Sequence, residues 1–205
     1  MRLTPSKIVC VGRNYVEHAR ELGNEVPKEP LIFLKPPSSM IRDGDAIVLP
    51  ELSMQVEHEG EIGVVLGDRL RRVAPEAASR AVRAIVAAND VTARDLQRAD
   101  GQWTRAKGFD TFCPVGDVAQ PPRDLRDLTV ITRVNGRERQ RGTAAEMAFD
   151  IPTLLSFISR VMTLEPGDLV LTGTPAGVGK LEAGDEVEVE VVGLSRVRNP
   201  VTVDR

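Results

Sequence analysis

The apolar residues of this chain occur in short runs bounded by glycine, proline and polar residues, a pattern typical of buried β-strands. Such runs cover residues 8–12, 31–34, 46–49, 62–66, 84–88 and 168–171. Two further segments, 128–134 and 186–191, alternate apolar and polar residues with a period of two, which predicts half-exposed strands. The first of them runs into Asn135-Gly136, a dipeptide that favours a tight hairpin turn.

Helical periodicity is restricted to fewer segments. Residues 151–162 predict an amphipathic helix whose apolar face carries Leu154, Leu155, Ile158 and Val161. Shorter helices are predicted at 14–22, 75–80 and 92–99, the last of which leads into a polar loop at 100–102. Because strands predominate and do not alternate regularly with helices, the pattern favours a mixed, β-rich α+β fold with peripheral helices over a doubly wound sheet. A length of 205 residues suits a single domain over positions 1–205.

Composition removes several classes of function. A net charge of −3 gives no basic field for nucleic acid or for an anionic membrane, and 3% aromatic residues argues against base-stacking surfaces. No apolar run reaches the length of a membrane span and no signal sequence precedes Lys7, so we expect a cytoplasmic protein. Cys10 and Cys113 adjoin apolar runs and are interpreted as reduced core residues rather than reactive thiols.

Three acidic residues adjoin segments that are predicted to be buried. Glu59 and Glu61 precede the apolar run at 62–66, and Asp90 ends the run at 84–88. Residues two apart on a strand point to the same face, so the two glutamates would repel each other unless a cation neutralised them. An all-oxygen site of two or three carboxylates is the usual arrangement for Mg²⁺ or Mn²⁺.

The spacing of these acids also fits a solvated acidic face. Glu57 extends the same stripe, and the chain builds another such face with Glu186, Glu188 and Glu190. Spacing alone leaves the two interpretations open, whereas the wholly apolar run after Glu61 favours burial. Two histidines and two cysteines, far apart in the sequence, argue against a zinc-type cluster.

A second group of polar residues follows the first predicted strand. His18 and Glu21 are three residues apart on a predicted helix, where a carboxylate can fix the tautomer of an imidazole and raise its basicity. Such a pair suits a general base, although an exposed surface pair has the same spacing.

Taken together, several segments resemble the fumarylacetoacetate hydrolase family, in the order that the family shows them. They are Val11-Gly12-Arg13-Asn14-Tyr15 with His18 and Glu21, Phe33-Leu34-Lys35-Pro36, His58-Glu59-Gly60-Glu61, residues 89–97 (NDVTARDLQ), residues 107–114 (KGFDTFCP) and residues 171–179 (LTGTPAGVG). The closest likeness is to the short acylpyruvase and oxaloacetate decarboxylase branch. Gly108 departs from the serine expected after the lysine, and the loop at 98–102 looks short, which leaves the length of the substrate open.

The resemblance implies a fumarylacetoacetate-hydrolase-like β-roll of mixed sheets, in a protein that is usually a homodimer. It implies that Glu59, Glu61 and Asp90 hold one Mg²⁺ or Mn²⁺ ion. It also assigns roles to eight further positions. His18 and Glu21 match a dyad that activates water, and Lys107 matches a lysine in contact with the substrate. The residues that match positions around the bound organic acid are Arg13, Lys35, Arg94, Gln97 and Thr174.

The function implied by the resemblance is metal-dependent hydrolysis of a C–C bond in acylpyruvates, such as acetylpyruvate or fumarylpyruvate. Pyruvate would leave by way of a metal-bound enolate. Alternatives on the same site are oxaloacetate decarboxylation or tautomerisation and isomerisation of 2-hydroxyhepta-2,4-diene-1,7-dioate. A module that binds a metal or an organic acid without turnover is the non-enzymatic alternative. A dinucleotide-binding dehydrogenase is excluded because Val11-Gly12-Arg13-Asn14 lacks the required glycine pattern.

Overall fold

A computed structural model describes residues 3–21, 23 and 27–203 of the chain. The strands are β1 (Ile8–Gly12), β2 (Leu31–Lys35), β3 (Met40–Ile41), β4 (Ile47–Leu49), β5 (Val56–His58), β6 (Gly60–Leu66), β7 (Val82–Asn89), β8 (Thr92–Ala93), β9 (Cys113–Pro114), β10 (Thr129–Val134), β11 (Arg137–Thr143), β12 (Leu169–Leu171), β13 (Gly179–Lys180), β14 (Glu186–Val191) and β15 (Ser195–Val203). The helices are α1 (Val16–Glu21), α2 (Pro75–Arg80), α3 (Arg94–Ala99), α4 (Thr104–Lys107) and α5 (Ile151–Val161). Position 22, where the sequence predicted the first helix to end, lies outside the described residues.

Two five-stranded sheets form the body of the fold. Their strand orders are β2-β1-β12-β6-β7 and β11-β10-β14-β15-β4, and smaller sheets join β13-β5-β8 and β3-β9. Most neighbours are antiparallel, whereas β1 pairs with β12, β15 with β4 and β3 with β9 in parallel. The mixed, β-rich fold with few helices that the sequence predicted is confirmed.

The main core lies between the two large sheets and under α5. It contains Val9 of β1, Ile62 of β6 and Val189 of β14, all of which are fully or almost fully buried. Helix α5 begins at an N-cap, where the side chain of Asp150 accepts a hydrogen bond from Thr153 N at 2.9 Å. Its last residue, Val161, is 59% exposed, so the apolar face ends one turn earlier than the periodicity predicts.

The half-exposed strands follow the alternation in the sequence. In β14 the valines are buried and the glutamates lie outward, where Glu188 and Glu190 accept hydrogen bonds from Arg133. Asn135 and Gly136 both have positive φ angles, 52° and 74°, which is the conformation of the predicted tight hairpin between β10 and β11.

The chain changes sheets at Glu59, and this change positions the functional site. Strand β5 belongs to the three-stranded sheet and β6 to a five-stranded one, so Glu59 lies between strands rather than on one. The expectation that both glutamates share a regular strand is therefore wrong. The helix predicted from position 92 begins instead at Arg94, because Thr92–Ala93 pairs with β5, and α4 was not predicted at all.

Two further expectations concern the core and the membrane. Cys10 and Cys113 are both buried as free thiols, and burial raises the pKa of Cys113 to about 12. Such a thiol stays protonated near neutral pH, which agrees with a core residue. Among the described residues, no helix is both long and apolar enough to cross a membrane.

Candidate active site

The three predicted metal ligands converge on one cavity. Glu59, Glu61 and Asp90 are all buried, and each offers a carboxylate oxygen that lies within 4.8 Å of the other two. They meet because β6 and β7 pair in an antiparallel register that sets Gly60 opposite Asn89, next to the three acids. The cavity that they line has a volume of about 280 Å³.

Three side chains and one backbone amide hold the backbone between the two glutamates. Glu59 N donates to Asn89 Oδ1 at 2.9 Å, and Glu59 O accepts from Asp90 N at 2.8 Å. The amide of Gly60 donates to Gln140 Oε1 at 2.9 Å, while its carbonyl accepts from Thr174 Oγ1 at 2.9 Å. All four polar backbone groups of Glu59 and Gly60 are therefore paired. This pairing fixes the backbone from which the Glu59 and Glu61 carboxylates project.

Three buried cations surround two of the three acids. Lys107 Nζ donates to Glu59 Oε2 at 2.8 Å and to Asp90 Oδ2 at 2.7 Å. Lys35 Nζ donates to Asp90 Oδ1 at 2.7 Å, and Arg94 donates to Glu59 Oε1 at 2.5 Å. These contacts are charge-assisted and buried, so they are stronger than hydrogen bonds between neutral groups.

Glu61 differs from its neighbours. It accepts a hydrogen bond from Gly173 N at 2.7 Å, and none of the described residues forms an ion pair with it. Burial, and then the negative charges of Asp90 and Glu59, raises the pKa of Glu61 well above its ordinary value. For Glu59, burial acts in the same direction, but the charges of Lys107 and Arg94 outweigh it and hold the pKa well below the usual range.

These residues fit a hard divalent cation. The donor set is three carboxylate oxygens, the type of ligand that Mg²⁺ and Mn²⁺ prefer. The pKa of Glu61 is raised first by burial and then by the charges of Asp90 and Glu59, an excess of negative charge that no ion pair to Glu61 from the described residues offsets. A divalent ion held by Glu59, Glu61 and Asp90 would neutralise that excess.

The predicted dyad lies at the same cavity. His18 lines it and is buried, and its Nδ1 lies 3.2 Å from Glu21 Oε2. Glu21 is 34% exposed and is held from its other side by Gly177 N, at 3.0 Å from Oε1 and 3.2 Å from Oε2. The pair is therefore anchored to the loop that follows Thr174, which an ordinary surface pair would not be.

The remaining predicted residues divide into two groups. Arg13, Arg94, Gln97, Lys107 and Thr174 all line the cavity. Lys35 does not line it: its ammonium lies behind Asp90, bonded to that residue and to the carbonyl of Val91.

Backbone geometry accounts for two residues beside the cavity. Arg13 has a φ of 57°, a left-handed conformation that is costly for any residue but glycine and that occurs often at functional sites. A Cβ on Gly108 would lie 2.5 Å from Thr104 O, so the chain at the end of α4 has no room for the serine expected there.

Sequence reasoning missed four residues of the site. Glu57, to which the resemblance gave no role, accepts a hydrogen bond from Arg94 Nε at 2.7 Å and so helps to orient that guanidinium. Gln140 joins Gly60 to Thr174, and no motif pointed to it. Arg98 and Trp103 also line the cavity, and the ring of Trp103 packs edge-on against Phe33 at 5.2 Å. Trp103 is the single tryptophan of the sequence and lies shortly before Lys107 of the family motif, and this position was the signal that could have indicated it.

Comparison with known proteins places this architecture in one family. The family model described as fumarylacetoacetate (FAA) hydrolase, C-terminal, matches residues 7–202. The mitochondrial oxaloacetate tautomerase of Arabidopsis thaliana is 45% identical over 199 residues, which cover 94% of this chain and 89% of that protein. The chain belongs to the fumarylacetoacetate hydrolase family, as the resemblance predicted.

Two solved structures extend the comparison. The 5-carboxymethyl-2-hydroxymuconate delta-isomerase of Mycobacterium smegmatis superposes with a TM-score of 0.91 at 44% identity, over 99% of this chain and 81% of that one. Fumarylpyruvate hydrolase of Pseudomonas aeruginosa, in complex with Mn²⁺ and pyruvate, superposes with a TM-score of 0.93 at 30% identity, over 100% of this chain and 92% of that one. Relatives of this fold thus carry hydrolase, tautomerase and isomerase names.

Proposed function

We propose that this protein is a divalent-metal-dependent enzyme that hydrolyses a C–C bond of acylpyruvates, 2,4-dioxo acids such as acetylpyruvate or fumarylpyruvate, and releases pyruvate. The observation that carries the proposal is that one cavity holds both the acidic triad and the His18–Glu21 dyad. The similarity to a fumarylpyruvate hydrolase bound to Mn²⁺ and pyruvate supports it.

The triad and its cations would bind the 2-oxo acid end of the substrate. Mg²⁺ or Mn²⁺ held by Glu59, Glu61 and Asp90 would supply a Lewis acid for the 2-oxo group. Lys107 lies between Glu59 and Asp90 and faces the same cavity, so its ammonium can attract the carboxylate of the substrate. Arg13, Arg94 and Arg98 add further positive charges to the wall of the cavity.

The dyad would activate the water that attacks the distal carbonyl. Because a carboxylate only accepts hydrogen bonds, the neutral tautomer of His18 that fits this contact carries its proton on Nδ1 and presents Nε2 as the base. His18 Nε2 can then remove a proton from water as the new C–O bond forms. The C–C bond breaks next, and its electron pair stays on the pyruvate fragment, which takes up a proton at C3.

Replacement of Glu21 tests the role of the dyad. We expect Glu21→Gln to lower kcat/KM for acetylpyruvate by about 10²–10⁴-fold, the usual contribution of a general base. Oxaloacetate decarboxylation, which needs no water attack, should change little. Glu17→Gln is the matched control, since Glu17 lies on the same helix and, within the described part of the chain, pairs only with exposed Arg20. Equal loss of both activities in Glu21→Gln would sink the proposed role of the dyad.

Oxaloacetate tautomerisation or decarboxylation is the second candidate function. It is favoured by the 45% identity to an oxaloacetate tautomerase, and the same cavity would stabilise negative charge next to the 2-oxo group. The decisive experiment is a panel of 2,4-dioxo acids, 2-hydroxyhepta-2,4-diene-1,7-dioate and oxaloacetate assayed with Mg²⁺ and compared by kcat/KM. Acylpyruvates should lead the panel, and a preference for oxaloacetate would overturn the first proposal in favour of the second.

A binding module without turnover makes a different prediction. It would show no product with any member of the panel and no rise in melting temperature with Mg²⁺ plus oxalate. An enzyme of the proposed kind should be stabilised by that combination through mass action. Assembly as a homodimer stays a prediction, which light scattering after size-exclusion chromatography can check, and so does the cytoplasmic location.

A further inference from the structure

Gln140 is an inward-facing polar residue in a strand of exposed charges. On β11 its neighbours Arg139 and Arg141 are exposed, whereas Gln140 is only 1% exposed. It pairs across the sheet with Thr132 of β10, directly behind the backbone that carries the two glutamates. A buried amide in such a position must have partners to offset its desolvation.

The amide of Gln140 uses its full hydrogen-bonding capacity. Its Nε2 donates to Thr174 Oγ1 at 2.7 Å and to Pro175 O at 2.8 Å. Its Oε1 accepts from Gly60 N at 2.9 Å and lies 3.1 Å from His58 Nδ1. Because Oε1 can only accept, His58 carries its proton on Nδ1. Two donors and two acceptor positions are thus all occupied.

These four contacts join the two halves of the site. Gly60 stands between Glu59 and Glu61, and a Cβ at this position would lie 1.8 Å from Thr132 Oγ1, so the backbone cannot shift toward β10. The loop held by Gln140 begins with Gly173, whose amide donates to Glu61 Oε2 at 2.7 Å. The loop is therefore tied to Gly60 in two ways, directly by Thr174 Oγ1 to the Gly60 carbonyl and through the amide of Gln140 to the Gly60 N–H.

We infer that Gln140 is a positioning residue whose primary amide fixes the geometry of the Glu59–Glu61 pair for a divalent cation. The inference rests on the metal site of the proposed function and extends it to a residue outside the cavity lining. Only a primary amide of this length can donate twice toward Thr174 and Pro175 and accept from Gly60 at the same time. Neither glutamate nor methionine can replace it.

Calorimetric titration of metal-free protein with Mn²⁺ alone tests the inference. In Gln140→Met, which keeps the length of the side chain, the Kd for Mn²⁺ should rise about 10- to 100-fold, the usual effect of losing a partner of a metal ligand. Asn199→Leu is the matched control. Asn199 is also a buried amide, and it donates to the carbonyls of Arg42 and Asp45, but it lies outside the cavity. The Asn199→Leu variant should be less thermally stable than the wild type but should bind Mn²⁺ with the same Kd.

A second pair of variants covers the case in which Gln140→Met does not fold. Thr174→Val removes the hydroxyl that links Gln140 to the Gly60 carbonyl and should also raise the Kd, whereas Thr174→Ser keeps the hydroxyl and should restore tight binding. A wild-type Kd in Gln140→Met, or in Thr174→Val, would overturn the inference alone. If the wild-type protein binds no Mn²⁺, both the proposed metal site and the inference about Gln140 are refuted. The titration contains no substrate, so its result can be interpreted even if the protein does not hydrolyse acylpyruvates.

Discussion

The effect of Glu61→Gln on the stability of the protein should change sign with the metal. The substitution should be neutral or stabilising without a divalent cation and destabilising, relative to the wild type, with one. In the metal-free protein the Glu61 carboxylate is buried beside Asp90 and Glu59, which raises its pKa well above the ordinary value. The neutral amide of Glu61→Gln removes that repulsion and can still accept from Gly173 N. We therefore expect its melting temperature in excess chelator to equal or exceed that of the wild type.

The magnitude of the reversal follows from ligand linkage. A cation present at 100 times its Kd stabilises the folded state by about 2.7 kcal/mol. For a chain of this size, each kcal/mol moves the melting temperature by about 2–4 °C, so the wild type should gain about 5–11 °C on addition of Mn²⁺. Glu61→Gln loses one of three charged ligands and should gain little, so the wild type becomes the more stable protein only when metal is present.

Differential scanning fluorimetry in chelator and in a Mn²⁺ series measures both effects. Glu57→Gln is the control, because Glu57 lies on the same acidic stripe but pairs with Arg94 rather than facing the triad. It should melt earlier than the wild type in both conditions, since a buried ion pair is weakened, while keeping the full metal-dependent rise. The reasoning is refuted if Glu61→Gln is destabilised in chelator as much as Glu57→Gln, or if it keeps the metal response.

Two further changes test the fold around the site. Burial tends to raise the pKa of Asp168, but hydrogen bonds from Glu165 N, Lys7 and Ser6 outweigh it and lower the pKa. Ionised Asp168 therefore stabilises the folded state above about pH 4, and this stabilisation is lost as the pH falls through the folded-state pKa. Urea unfolding of Asp168→Asn should therefore show a deficit of about 1.5–3 kcal/mol at pH 7 that shrinks at pH 3, and a deficit independent of pH would contradict this. Gly60→Ala should cost about 1–3 kcal/mol by overpacking against Thr132 Oγ1, and the double variant with Thr132→Ala should regain part of that stability in the same assay.

Elements with strong local signals could be predicted from the sequence, in some cases with the bounds that the structure shows. Helix Pro75–Arg80 and strand Glu186–Val191 are both found as expected. Proline at the first helical position and strict alternation of valine with glutamate are signals that do not depend on the rest of the chain. The hairpin at Asn135-Gly136 was predictable for the same reason, because its turn type selects these residues.

Other elements depend on pairing that no local pattern reveals. Strand Ser195–Val203 was not predicted, because Ser195 and Asn199 place polar side chains inward and Pro200 interrupts the run. The structure accommodates Pro200 on the outward face, where it lies opposite Glu186, and satisfies Asn199 with two backbone carbonyls. Parallel pairing of β1 with β12 likewise joins segments from opposite ends of the chain.

The site was located from the cost of burying charge, but its internal geometry was not. That cost drew attention to Glu59, Glu61 and Asp90, the family resemblance made them the ligands, and the structure brings these three together. The sheet change at Glu59 and the amide of Gln140 could not be anticipated, because both depend on strands far apart in the sequence. The resemblance gave Glu57 no role, whereas in the structure it accepts a hydrogen bond from Arg94.

The uneven pairing of the triad predicts that the binding of a cation and the binding of an organic acid are coupled. Asp90 and Glu59 have protein cations as partners, and Lys107 contacts both of them, whereas Glu61 has none among the described residues. If oxygens of Glu59 and Asp90 held a divalent ion, Lys107 would lose part of its pairing. Its ammonium, which lies at the wall of the cavity and 5.0 Å from the ring centre of Phe33, would then be available to an anionic ligand. Organic acid and metal should therefore bind cooperatively, and a metal-free protein should bind oxalate weakly in the same calorimeter.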